Sequence, residues 1–352
     1  MTPEEIKFRR LVGQHLITPS DCQTVIRDLC GIQAQFLSNA MHALKIRCHD
    51  FSEDRPELCT AGLVKSWTLR GTVHVFSQTD LPLFLHQGRK HFLRPCDTLE
   101  ADESITKERK QYFADLILEQ IAAGIHTREE LKTVCAEHGM TGQEAESVFN
   151  SWGGTIRALC EMGTICHKVQ EKKAFELCPP FTPMEEAPAR LEMARRYFTH
   201  FAPATIRDAA YFFGTTQTEV KQWLSQLPVS TTTCRSKTYY YIEPDASGAA
   251  QETTSPTDIP ACIFLAGFDQ LMLGYQKTEN PFLPPEHLRG IFNLSGIVMP
   301  AVLLHGRVAG KWKKNGKKLS VTLFETISPK EKEQAEICAF ELWPTCNSIE
   351  FI

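Results

Sequence analysis

Thr205-Ile206-Arg207-Asp208 sets a threonine three residues ahead of an acid, and the spacing recurs at Thr18-Pro19-Ser20-Asp21 and Thr127-Arg128-Glu129-Glu130. A pair so spaced caps a helix start. The hydroxyl accepts from an amide that has no partner inside the helix, and the carboxylate sits at the positive end of the helix dipole. Each pair follows an apolar helical stretch, Ile6 to Leu16, Tyr112 to Ile121 and Leu191 to Phe201, and each leads through a second helix into β-rich residues. Those residues are Ser66 to Leu69 with Thr72 to Phe76, joined at Arg70-Gly71; Gly163 to Val169 with Ala174 to Leu177; and Val229 to Cys234 with Tyr239 to Ile242. Helix, capped helix, helix and two-stranded ribbon is the winged helix-turn-helix layout, so three tandem copies are expected.

Beyond the third copy the chain changes character. Pro179 to Pro188 separates the second and third copies, and Pro244 to Pro260, rich in Ser, Thr, Ala and Pro, separates the third from the carboxy-terminal segment. In that segment strand-like runs appear at Cys262 to Leu265, Val298 to Leu304, Arg307 to Trp312 and Leu319 to Glu325, with Asn315-Gly316 as a tight turn. Ser328-Pro329-Lys330-Glu331 caps a closing helix. The expected fold class is therefore α+β: three tandem winged helix-turn-helix units, over 1–95, 103–178 and 189–243, followed by a small β-barrel-like domain over 261–352.

Of the 352 residues, 42% are hydrophobic and 23% charged, which excludes a disordered or fibrous chain. The longest apolar run, Ile259 to Phe268, is interrupted by Pro260 and too short to span a bilayer. The start, MTPEEIKFRR, lacks the apolar stretch of a secretory signal, so a cytoplasmic protein is expected, on the nucleoid when bound to DNA. The 13 cysteines are odd in number and scattered without a C-x-x-C, and the 12 histidines show no ligand spacing. Reduced thiols, no metal and no cofactor are expected.

Net charge is -4, yet Arg307, Lys311, Lys313, Lys314, Lys317 and Lys318 crowd into one stretch without an acid, which leaves -10 for the remainder. A second basic island holds Lys65, Arg70, Arg89, Lys90 and Arg94 against Asp80 alone. Two basic islands on an acidic body suit a protein that grips phosphate at defined places; solvated lysines on a hairpin tip remain the alternative.

No phosphate loop, dinucleotide fingerprint, nucleophile elbow or zinc deaminase signature occurs in the sequence. Five strings remain: Gly31-Ile-Gln-Ala-Gln35, Ser66-Trp-Thr-Leu-Arg-Gly-Thr-Val-His74, Phe201-Ala-Pro-Ala-Thr205, Gly267-Phe-Asp-Gln-Leu-Met-Leu-Gly-Tyr275 and Gly306-Arg-Val-Ala-Gly-Lys-Trp312. In order and approximate spacing they resemble the AlkZ/YcaQ-like winged-helix DNA glycosylases over nearly the whole chain. The resemblance implies tandem winged helices and a carboxy-terminal β-barrel clamped around duplex DNA. It also implies a catalytic Gln–aliphatic–Gln or Gln–aliphatic–Asp signature, here Gln33-Ala34-Gln35 of the AlkZ-like branch. Ala34 is smaller than the usual spacer, and Lys65-Ser66 stands where an Arg-Thr pair is frequent.

The chemistry agrees with those residue types. Alkylation at N3 or N7 makes a purine a cationic leaving group, so the enzyme must orient water and tolerate positive charge on the sugar. A glutamine carbonyl does both. Two glutamines two apart do not share a face of a helix, so Gln33 is expected in a turn and Gln35 in the first helical turn. No lysine adjoins them, which favours water over a Schiff base. A pair of solvent-facing glutamines is the alternative. Arg70, at a wing tip, is a candidate phosphate contact; His74 and Asp269 are candidates for DNA binding or for structure; and Arg307, Lys311, Lys313, Lys314, Lys317 and Lys318 complete the DNA-binding set. The expected function is a monofunctional glycosylase, acting as a monomer on double-stranded DNA with alkylated purines, interstrand crosslinks included among candidate substrates. The rival is a non-enzymatic winged-helix regulator.

Overall fold

The computed structural model describes residues 1–52, 54, 60–89, 95–243 and 255–352; Lys90, Arg94 and most of the Pro244–Pro260 linker lie outside the described residues. In chain order the main elements are α1 (Pro3–Gly13), α2 (Cys22–Asp28), β1 (Ile32–Gln33), α3 (Leu37–Lys45), β2 (Leu63–Trp67), β3 (Val73–Ser77), α4 (Lys107–Ala122), α5 (Arg128–Glu137), α6 (Gly142–Val148), α7 (Thr155–Glu161), β4 (Ile165–His167) and β5 (Phe175–Leu177). There follow α8 (Glu186–His200), α9 (Ile206–Phe213), α10 (Gln217–Leu224), β6 (Ser230–Cys234), β7 (Lys237–Tyr241), β8 (Cys262–Phe264), β9 (Ala301–Leu304), β10 (Arg307–Asn315), β11 (Lys318–Leu323), α11 (Pro329–Leu342) and β12 (Ser348–Phe351). The fold is mixed α+β. It divides into two compact units, one made of Met1–Gln33, Ser38–Cys59 and Met193–Ile352, the other of Ala34–Leu37 and Thr60–Glu192.

In the second unit, Phe113, Ile117, Leu131, Val148, Ile156, Leu159, Ile165 and Phe175 form one apolar core. Thr127 caps α5 through a reciprocal pair with Glu130, as its spacing predicts. The ribbons expected to end the first and second copies are joined in a single sheet, in the order β3-β2-β4-β5, through the pair Lys65↔His167. The β2–β3 turn is held from behind. Arg89 donates to the carbonyls of Trp67 (2.7 Å) and Thr68 (3.3 Å), and Arg157 donates to that of Gly71 (3.1 Å). Arg157 in turn pairs with Glu161 at 2.9 Å.

In the first unit, Thr205 caps α9 with Asp208, but the third expected cap differs: Asp21, not Thr18, is the residue that receives the Thr24 amide at the start of α2. Helices α9 and α10 lead into the β6–β7 hairpin, whose two turn residues Arg235 and Ser236 both take positive φ. The carboxy-terminal strands form an open sheet in the order β12-β11-β10-β9-β8, so the expected barrel is not closed. The reason is β12, which pairs parallel to β11 (Lys318↔Ser348 to Val321↔Phe351) and therefore needs a crossover, supplied by α11. Ala335 and Ala339, one turn apart, let α11 close onto Phe264, Val302 and Val321. The hairpin turn is Gly316-Lys317, flanked by the pair Asn315↔Lys318, one residue beyond the expected Asn315-Gly316; Gly316 supplies the positive φ (58°) at the first turn position.

A buried polar spine ties this unit together. Arg47 and Asp269 have fully buried side chains and meet in two bonds, of 3.0 and 2.7 Å. Arg47 also donates to the carbonyls of Gln14 and Ala43. Gln14 donates to the Tyr275 hydroxyl (2.9 Å), which donates to the Phe201 carbonyl. Arg10 lies over the Tyr275 ring, donates to the Pro203 carbonyl and pairs with Asp208 at 3.3 Å. Replacing Asp269 with Asn leaves a buried guanidinium without its anion, so we expect a loss of roughly 3–5 kcal/mol. Urea denaturation measures it, and an unchanged midpoint would show that the pair does not hold the unit.

Candidate functional site

Helix α2 ends where Cys30 and Gly31 turn the chain through positive φ (54° and 75°). The Gly31 amide returns to the Ile26 carbonyl at 2.8 Å, and the Gln270 side-chain amide seizes the Gly31 carbonyl at 2.7 Å. Gln33 follows in the extended segment β1, and Ala34, with no exposed surface, donates its amide to Val73 at 2.8 Å. Gln33 is buried and Gln35 exposed. Gln35 precedes α3 by two residues; the expected placement in a first helical turn is corrected, because the amide bond from Ala34 to a strand prolongs the extended backbone. The motif thus hangs from a turn that the Gly267–Tyr275 string fixes.

Asp269 and His74 are both buried. The expected DNA contact at Asp269 gives way to its ion pair with Arg47 and to capping of the Leu271 amide. His74 donates from Nδ1 to the Thr72 carbonyl at 3.0 Å and faces Arg70 across 3.5 Å; burial, then the Arg70 charge, lowers its pKa to about 3, which keeps it neutral. Arg70 is half-buried with a left-handed backbone (φ 54°), in the turn that Arg89 and Arg157 brace. Lys65 is buried and donates to the Gln170 carbonyl at 3.1 Å. Much of the second basic island is therefore spent inside the protein.

The carboxy-terminal island is different. Lys313, Lys317 and Lys318 are exposed at the hairpin end, Lys311 and Lys314 half-buried on β10, and Arg307 is ion-paired with Glu325 at the far end of the strand. Lys313 and Lys314 edge a cavity of about 570 Å³ within the first unit, whose wall includes His42 and Lys45 of α3 together with Trp312 and Trp343. His42 lies 4.9 Å from Trp312 and stacks on Trp343 at 5.4 Å. Its Nε2 donates to the Phe264 carbonyl at 2.7 Å, and burial lowers its pKa to about 4. Trp312 Nε1 donates to the Leu265 carbonyl at 2.8 Å. Sequence reasoning assigned no role to His42, Lys45 or Trp312. The available signals were the short distance from Gln35 to α3 and the tryptophan that ends Gly306–Trp312.

Two groupings have the composition of metal ligands among the described residues: His15, Asp28 and His200, and Cys22, Cys48 and Asp50. Sequence spacing hides both. In the first, Asp28 is already engaged by His15 (3.0 Å) and Arg27 (3.1 Å). In the second, Asp50 accepts from the Cys22 amide at 3.0 Å.

The model of the AlkZ-like DNA glycosylases matches residues 26–340. This chain belongs to that family. An interstrand DNA cross-link repair glycosylase of Streptomyces sahachiroi is 25% identical over 354 residues, which is 91% of this chain and 91% of that protein. The solved structure of the Streptomyces sahachiroi DNA glycosylase AlkZ covers 100% of both chains with a TM-score of 0.78 at 21% identity, a likeness of fold. Membership decides for an N-glycosyl hydrolase over a regulator. Among the described residues of this AlkZ-like chain, no helix is long and apolar enough to cross a membrane.

Four histidines, His74 and His167 buried and His42 and His200 half-buried, are expected to make stability fall in acid. Burial lowers His42 and His200 to about 4, and His74 and His167 to about 3, against about 6.5 in an unfolded chain. Below that unfolded value the unfolded state binds protons that the folded state refuses, so stability falls as pH falls. We expect urea midpoints to drop steadily between pH 6.5 and pH 4.5, before carboxylate protonation sets in. A flat profile would show that these rings protonate in place.

Proposed function

We propose that this enzyme is a monofunctional glycosylase that releases alkylated, cationic N3- or N7-substituted purines from double-stranded DNA, interstrand crosslinks among them. The observation that carries the reading is Gln33-Ala34-Gln35, suspended from a turn that Gln270 fixes and leaving Gln35 exposed. In the reaction the C1′–N bond breaks, its electron pair neutralises the purine cation, and the water oxygen bonds to C1′. One water proton goes to solvent. The leaving group needs no acid, so two uncharged amides suffice: Gln35 orients the water through its carbonyl, and Gln33 supports it and the oxocarbenium charge. The helix pairs with their ribbons act as three winged helices gripping the duplex, the monomer is the working form, and Arg70 and the β10–β11 lysines meet phosphate.

Gln35→Ala should abolish release of N7-methylguanine in single turnover while leaving duplex affinity within about twofold, because a neutral amide contributes little to phosphate binding. Gln33→Ala should be impaired less. Parental rates in both would refute the site, and no free base from the parent across several lesions would refute the activity. Borohydride should trap no covalent enzyme–DNA adduct, since water is the nucleophile; a trapped adduct would place a lysine there instead.

The lysines at the hairpin end give a second expectation. Changing Lys313, Lys314, Lys317 and Lys318 together to Ala should weaken binding to lesioned and intact duplex alike. The slope of log affinity against log salt should flatten by up to about 3 to 4 units, roughly 0.9 for each phosphate no longer neutralised. An unchanged slope would mean that the hairpin points away from DNA.

A further inference from the structure

The cavity beside α3 combines features that charge alone does not explain. Its volume, about 570 Å³, lies inside the range of small-molecule sites, roughly 300–1,000 Å³. Its wall carries the Trp312 and His42 rings and the cations Lys45, Lys313 and Lys314. Ser38, on the same wall, is three residues from Gln35, so its Cα is within roughly 11 Å of that residue along the chain. From this juxtaposition we propose that the cavity receives the alkylated purine turned out of the duplex, its ring against Trp312 and its flanking phosphates on Lys313 and Lys314. The proposal rests on the glycosylase reading and names the part of the enzyme that selects the base.

Three physical points support that occupant. An indole face attracts a cationic ring more than a neutral one, so an alkylpurine gains over an undamaged purine. His42 gives its Nε2 proton to the Phe264 carbonyl, which makes Nδ1 of the neutral ring an acceptor for an exocyclic amine and adds no positive charge to repel the base. The volume also leaves space for a substituent larger than methyl, which a close-fitting slot would reject. Trp312 is well placed to be rigid, because its Nε1 is tied to Leu265 and its ring packs 4.9 Å from Trp343.

The test uses free 7-methylguanine and guanine as probes, read by tryptophan fluorescence, alongside single-turnover release from duplexes bearing N7-methylguanine or a bulkier N7 adduct. We expect saturable quenching by 7-methylguanine and at least fivefold weaker binding of guanine. Trp312→Leu should remove the quenching and slow release at least tenfold. Because Trp312 also packs the sheet, the exposed Ser38→Phe provides the second variant: it fills the cavity from the helix surface, should slow release of the bulky adduct more than that of the methyl base, and should leave affinity for intact duplex within twofold. Parental release and quenching in Ser38→Phe would overturn the proposal while leaving the glycosylase reading intact. If the parent released no base, the glycosylase reading would fail, and the titration with free 7-methylguanine would still decide the cavity.

Discussion

The ion pair between Arg47 and Asp269 is the constraint on which the first unit turns. Removing two charges from water is expensive, and the pair persists only because nearly every donor and lone pair is used. Arg47 spends its remaining donors on the carbonyls of Gln14 and Ala43, and Asp269 spends an oxygen on the Leu271 amide. The next residue, Gln270, then stands in register to grasp the Gly31 carbonyl. One buried pair thereby fixes the short helical turn from which the Gln33-Ala34-Gln35 backbone is suspended. On the proposed reading catalysis by a carbonyl dipole depends on position far more than on intrinsic strength, and the costly interaction lies behind the motif.

Much of the local structure was legible because its causes are local. Thr127, Thr205 and Ser328 cap the helices their spacing announces, and the β6–β7 and β10–β11 hairpins lie close to where the turn residues put them. At Thr18 the rule misled: the fragment offers three oxygen-bearing side chains ahead of α2, Thr18, Ser20 and Asp21, and Asp21 is the one at the cap position. What failed was non-local. Strand β12 adds in parallel to β11 across a whole helix, and the polar–apolar alternation of Ser348-Ile349-Glu350-Phe351 does not say which edge it will take, so a barrel is expected where an open sheet forms.

The candidate site was legible in composition and illegible in geometry. Asp269 in an apolar string announced a costly carboxylate, but its partner lies 222 residues away, and without it a structural acid and a functional one look alike. Lys65, Arg70 and Arg89 formed a basic island in the sequence, yet Lys65 and Arg89 are turned onto backbone carbonyls that need donors. Clustered charge along a chain therefore overstates clustered charge in space. The β10–β11 lysines differ, because Lys313, Lys317 and Lys318 are exposed at the hairpin end.

The division of charge follows from the chemistry of a cationic leaving group. A site for a neutral base would need an acid to protonate it; on the proposed reading the base carries its positive charge already, and a cation beside it that no phosphate neutralises would raise the cost of binding. The motif and its chain neighbours Ile32 and Phe36 are accordingly uncharged, and the histidine of the neighbouring helix is held neutral by burial. Lys45, Lys313 and Lys314 border the cavity and Lys317 and Lys318 stand exposed at the hairpin end, and the proposed reading sets phosphates, which are negative whatever the base has become, against the hairpin lysines. On the proposed reading the phosphates neutralise those lysines, while the reacting sugar and base meet amide dipoles and π faces. That separation is what an enzyme needs if it is to bind a polyanion tightly and still favour a positively charged transition state.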